Sequence, residues 1–136
     1  LAKFVTTDFN IQIGGTDFSS SINSVTLDVT VDEQETTAFG QTSRTRIGGL
    51  KDGSVSLDFH QDFGASAVDA TLWPLLGTTV EIIVAPTSGS VSATNPSYTF
   101  DALVTQYQPF ANASGELATL SVSWPVTGDI TRGTGA

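Results

Sequence analysis

Between Ser24 and Val31 the chain alternates without interruption: Val25, Leu27, Val29 and Val31 fall on one side, Ser24, Thr26, Asp28 and Thr30 on the other. A period of two residues is what a strand with one buried and one wet face requires. The pattern returns from Gly53 to Gln61, where Val55, Leu57 and Phe59 oppose Ser54, Ser56, Asp58 and His60. It returns again from Leu117 to Val126, where Leu120, Val122, Trp124 and Val126 oppose Thr119, Ser121 and Ser123. Repeated alternation of this kind commits the chain to antiparallel sheet with a polar outer face.

Weaker strand signals fill in the rest. Phe9, Ile11 and Ile13 alternate before Gly14 and Gly15, and Val80, Ile82 and Val84 alternate imperfectly with Glu81, Ile83 and Ala85. Ser97 to Gln108 follows with Tyr98, Phe100, Ala102 and Val104 on one face. A single helix is predicted after Gly64: Ser66 and Asp69 read as a capping-box-like start, Val68, Leu72, Leu75 and Leu76 share helical spacing, and Pro74 limits the helix to roughly two turns. Gly48, Gly49 and Gly53 around Lys51 and Asp52 predict a tight turn. Residues 32–50 are expected as a long loop, with Glu33 to Ala38 either prolonging the preceding strand or forming a short partner. The expected fold is mainly β (α+β): one domain over 1–136, an antiparallel β-sandwich or partly closed barrel flanked by one short α-helix, with extended termini at 1–7 and 127–136.

Composition narrows the chemistry. Cysteine is absent, which removes disulfides, thiolate metal sites and a cysteine nucleophile. The net charge of −9 with five Lys and Arg leaves little means of neutralising phosphates, so tight nucleic-acid binding is not expected. No apolar run approaches a membrane span and no signal peptide is evident, so a soluble, unexported protein with no membrane partner is expected. Methionine is absent, and Leu1 reads as a TTG start codon written as leucine. His60 is the only histidine; Asp58 and Asp62 flank it, but same-face residues on a strand stand ~7 Å apart, too far to chelate one ion unaided. No Gly-x-Ser-x-Gly elbow or Lys-Ser/Thr phosphate loop occurs. No cofactor, metal or catalytic residue is assigned, and the protein is read as a non-enzyme. Trp124 lies on an apolar strand face and reads as core; Trp73 is either core or an interface anchor. Arg44, Arg46 and Lys51 place most of the cations in one neighbourhood, either as a solvated loop or as a reaching loop whose cations meet another copy.

The ordered segments RTRIGGLKDGSVSLDFHQDF, SAVDATLWPLLGT and LATLSVSWPVTGDITRGT resemble the tail tube (major tail) proteins of long-tailed bacteriophages, particularly phages infecting actinobacteria. The resemblance spans nearly the whole chain. It implies packed sheets with a flanking helix and a homo-oligomer of hexameric rings stacked into a hollow conduit for genome DNA. It also implies location in the virion tail after assembly in the host cytoplasm. The implied partners are tape measure, tail-tip and tail terminator proteins, with transient, non-specific passage of double-stranded DNA. On that resemblance Thr26, Asp28, Thr30, Ser54, Ser56, Asp58, His60, Thr119, Ser121 and Ser123 are candidates for the lumen, where carboxylates repel phosphate. Glu33, Glu35, Arg44, Arg46 and Lys51 are candidates for contacts between rings. The competing reading is a monomeric β-sandwich decoration or adhesion module of a virion.

Overall fold

The computed structural model describes residues 7–65 and 67–134. Strands β1 (Asn10–Ile13), β2 (Thr16–Asp17), β3 (Ile22–Glu35) and β4 (Arg46–His60) come first, then helix α1 (Val68–Leu75) and strands β5 (Thr79–Ala85), β6 (Ser97–Leu103) and β7 (Thr119–Gly133). They form one antiparallel sheet in the order β2-β1-β5-β6-β7-β4-β3. The expected β-rich architecture with one short helix is therefore present. Its form is a single sheet whose end strands β2 and β3 do not meet, so it does not close into a barrel.

Strand β7 is where the sheet turns over. Its first half pairs with β4, from Thr119 opposite His60 to Pro125 opposite Ser54. Its second half pairs with β6, from Val126 opposite Ala102 to Gly133 opposite Ser97. Proline has no N–H to give to a ladder, and the change of partner falls at Pro125. The two halves then share one core. Val55, Leu57, Phe59, Leu120, Val122 and Trp124 meet Ile11, Ile13, Val80, Ile82, Phe100 and Ala102, with Val68 and Leu72 of α1 in the same cluster. Each such large side chain contributes about 1.5–3 kcal/mol on burial. Trp124 is wholly buried, and its indole Nε1 donates to the Gln106 carbonyl at 2.9 Å, so the core tryptophan keeps no unpaired donor.

Several boundaries differ from the sequence expectation. The loop expected over 32–50 is largely strand: β3 runs to Glu35 and β4 begins at Arg46, pairing Glu35 with Arg46 and Gln34 with Ile47. Only residues 36–45 remain as a loop, and the hairpin forms a long exposed arm. Gly48, Gly49 and Gly53 make no tight turn; they lie within β4, and none has positive φ. Their use is close packing, since a Cβ at Gly53 would stand 3.0 Å from Ile130 Cδ1 and 3.1 Å from the Asp28 carbonyl oxygen. The tail expected from residue 127 is strand to Gly133, because pairing with β6 carries β7 on past Pro125. In the other direction, β6 ends at Leu103 rather than Gln108.

Helix α1 spans two turns around its interior Pro74, as expected. Its Asp69 carboxylate accepts from the Tyr107 hydroxyl, while the Ser66 half of the expected capping box lies outside the described residues. So do Leu1 and most of the expected N-terminal arm. No helix among the described residues is long and apolar enough to cross a membrane.

Candidate functional site

Register brings the polar positions of three strands into rows. Thr26 faces Ser56, and Ser56 faces Ser123; Ser24, Asp58 and Ser121 make the next row; Asp28 and Ser54 lie on the other side, and His60 faces Thr119. The alternate residues Val55, Leu57, Phe59, Leu120, Val122 and Trp124 are buried, so these polar side chains share the outward face. Thr30 continues that face towards the arm, opposite Asp52. The face is knitted by short contacts: Ser121 Oγ donates to Asp58 Oδ1 at 2.6 Å, Ser56 Oγ to Ser123 Oγ at 3.4 Å, and Asn112 bonds both the amide and the hydroxyl of Thr119. His60 Nδ1 is buried without a hydrogen-bond partner. Among the described residues no three His, Asp or Glu side chains converge as a metal set.

The inner face of β3 is less covered than its alternation suggests. Val25 and Leu27 pack against the core, but Val29 and Val31 remain about half exposed, at 52% and 51%. Beneath Val29 runs a groove of about 340 Å³ lined by Phe9, Val25, Leu27, Val29, Val84 and Tyr98. Strand β3 is also the long end strand of the sheet, with one side of its backbone unpaired.

The arm carries Glu33, Glu35, Arg44 and Arg46 as two internal pairs. Arg46 Nε lies 2.6 Å from Glu33 Oε1, and Arg44 Nε lies 3.7 Å from Glu35 Oε1. Cross-strand neighbours of opposite charge are the ordinary outcome of this register. Lys51 sits apart, opposite Val31, at the margin of a second groove shared with Arg132. The arginines thus have partners within the arm before any other molecule is considered.

Apart from Trp73, for which the sequence left core and interface anchor open, the exposed aromatic residues are the feature that sequence reasoning missed. Phe39 stands fully exposed at the arm tip. At the other end of β4, Phe63 and Phe110 stack with ring centroids 5.6 Å apart while remaining open to solvent, and Leu117 is exposed beside the same strand ends. Trp73 is 61% exposed and meets Tyr107 edge-on, so it is not core. Behind this surface, burial and the Asp69 hydrogen bond push the Tyr107 hydroxyl up to about 12. Phe39 could have been noticed as a lone aromatic in a polar run; Phe63 and Phe110 come together only through the fold.

No protein-family model and no curated protein matches the sequence. Among solved structures the fold is similar to that of a chain in the virion of a native gene transfer agent particle. The TM-score is 0.73 and the identity 14%, and the match covers 92% of this chain and 95% of that one. At that identity the likeness is one of fold, extending across nearly the full length of both chains.

Proposed function

We propose that this chain is a structural virion subunit, and specifically a tail tube protein that self-assembles into stacked hexameric rings forming a conduit for DNA. The observation that carries the reading is the in-register polar face of β3, β4 and β7, bounded by the open edge of β3, in a fold similar to that of a virion chain. Ring closure gives the edge of β3 a partner and covers Val29 and Val31, both of which are costly to leave open in a monomer. The outward face, with Asp28 and Asp58 among hydroxyl side chains, becomes the lumen wall; it is wet, offers no Lys or Arg, and lets duplex DNA slide. The arm supplies contacts between rings. Tape measure, tail-tip and terminator proteins are the partners this role entails.

The test is negative-stain electron microscopy beside sedimentation velocity over a concentration series of untagged protein. Hollow tubes or stacked rings are the expected result. A strict monomer, also in the presence of a cognate tail-tip assembly, would leave the decoration-module reading in its place.

A further inference from the structure

A cross-strand row through β7, β4 and β3 ends in two unlike apolar surfaces. Trp124 of β7 stands opposite Val55 of β4, and Val55 stands opposite Leu27 of β3. At the β7 end, the Trp124 indole donates to the Gln106 carbonyl, and the next residue, Tyr107, meets Trp73 edge-on with ring centroids 6.4 Å apart. At the β3 end, Leu27 lines the groove of about 340 Å³ together with Phe9, Val25, Val29, Val84 and Tyr98. One flank of this three-strand layer therefore projects an indole, the other holds a hollow, and the shared row sets both at a similar height along the strands.

The indole is held outward by the helix that carries it. Val68 and Leu72 anchor α1 in the core, and Asp69, one turn before Trp73, accepts from the Tyr107 hydroxyl at 2.6 Å. Just beyond, the Leu76 amide bonds the Trp73 carbonyl, and the Thr78 amide and hydroxyl both bond the Leu75 carbonyl. Trp73 and Leu76 nevertheless remain exposed. A side chain presented on an element already fixed in this way loses little further freedom on docking.

Charge points to a second copy as the occupant. At a net charge of −9, copies repel one another over most of their surface. No Asp, Glu, Lys or Arg occurs from Ala70 to Val80, and none lines the groove. Two such chains can meet on these surfaces without burying an unpaired carboxylate. A tryptophan buries about 150–250 Å², against about 800 Å² per partner in a stable interface, so Trp73 is an anchor and not the whole contact. The unpaired edge of β3 lies beside the groove and adds to it.

We propose that Trp73 of one copy, with Leu76 beside it, inserts into the groove beneath β3 of a second copy standing alongside. The two surfaces differ, so the contact is heterologous; repeated sideways with a constant rotation it closes a ring instead of stopping at a dimer. The inference rests on the tube reading and names an anchor and its pocket within one ring.

The absence of native cysteine allows a direct test. Val29→Cys and Leu76→Cys are prepared as separate proteins, confirmed as folded by circular dichroism, mixed under assembling conditions and treated with a short bismaleimide, while sedimentation and electron microscopy record assembly. The mixture is expected to give a covalent dimer that neither variant gives alone, and the double variant a ladder that stops at the number of copies in one ring. Tubes without a cross-link in the mixture, or a ladder that runs on past one ring, overturn the docking proposal and leave the tube reading intact. A wild-type protein that never assembles overturns both.

Tryptophan fluorescence tests the same contact without cysteines. Trp124 is already buried, so Trp73 is the indole whose surroundings change when copies meet. Wild-type emission is expected to shift to the blue and to resist acrylamide quenching on assembly. Trp73→Ala is expected to lower the assembled fraction at least about tenfold while leaving the melting midpoint of the unassembled subunit unchanged. Assembly with no change in wild-type emission, or undiminished assembly of Trp73→Ala, overturns the proposal.

Discussion

Tyr107 and Asp69 are joined by a 2.6 Å hydrogen bond from the phenol to Asp69 Oδ1, tying the segment after β6 to the first turn of α1. Gln61 Nε2 donates to the same phenol oxygen at 3.0 Å, so three separated parts of the chain meet at one hydroxyl. The phenol pKa stands at about 12, above its ordinary 10.0, first through desolvation and then through Asp69. Because the native value is raised, the stability from this phenol is fully present below about pH 10 and is lost as pH rises towards about 12. Chemical denaturation at successive pH values is expected to show that decline in the wild type and a flatter profile in Tyr107→Phe. Near neutrality the variant should be less stable by about 1 kcal/mol, one hydrogen bond's net worth.

At Gly53 two effects of an added methyl oppose one another. Restricting the unfolded chain favours Ala by about 0.4–1 kcal/mol, while overpacking costs about 1–3 kcal/mol. The contact with Ile130 can relax by a side-chain shift, but the Asp28 carbonyl oxygen at 3.1 Å belongs to the paired strand and cannot easily retreat. Gly53→Ala is therefore expected to destabilise by about 1 kcal/mol in urea unfolding. Gly89→Ala, whose Cβ would meet only Thr87 Oγ1 at 3.5 Å, is expected to be neutral or slightly stabilising.

Periodicity made the strands and their polar sides legible because alternation is a local property. Val55, Leu57, Phe59 and Trp124 are buried as their spacing required, and Thr26, Ser56 and Ser123 share a row as it allowed. What pairing decides was not legible. Residues 46–53 read as a turn because their glycines are permissive alone; β3 supplies the ladder that keeps them extended. Residues beyond Val126 read as a tail because nothing local reveals that β6 waits beside them. Val29 and Val31 alternate as core residues do, yet grooves shared with Val84, Tyr98 and Ile130 leave them half exposed.

The arm's ion pairs separate stability from assembly. Both pairs are largely exposed, and exposed pairs contribute about 0.2–1 kcal/mol each. Arg44→Glu with Arg46→Glu is expected to shift the melting midpoint of the unassembled subunit by no more than about 4 °C per kcal/mol lost. If the proposed tube forms, its length and yield should fall sharply in the same variant, measured by electron microscopy. Unchanged tubes would remove these arginines from the contacts between rings.

Thr26 and Ser123 flank Ser56 on the outward face and are exposed, so lysine is expected to be tolerated at both. In a tube whose lumen is that face, the double lysine variant lines the bore with cations at every ring. Tubes assembled with short duplex DNA should then retain it at low salt and release it as salt rises, with a log–log slope near −0.9 per phosphate neutralised. Wild-type tubes, with Asp28 and Asp58 on the same face, should retain none. Nuclease decides the direction in which the face points: DNA enclosed in the bore survives digestion, whereas DNA held on an outer surface is degraded. Retained but nuclease-sensitive DNA would put Thr26, Ser56 and Ser123 on the outside of the assembly, and the polar face would then be a solvated exterior wall.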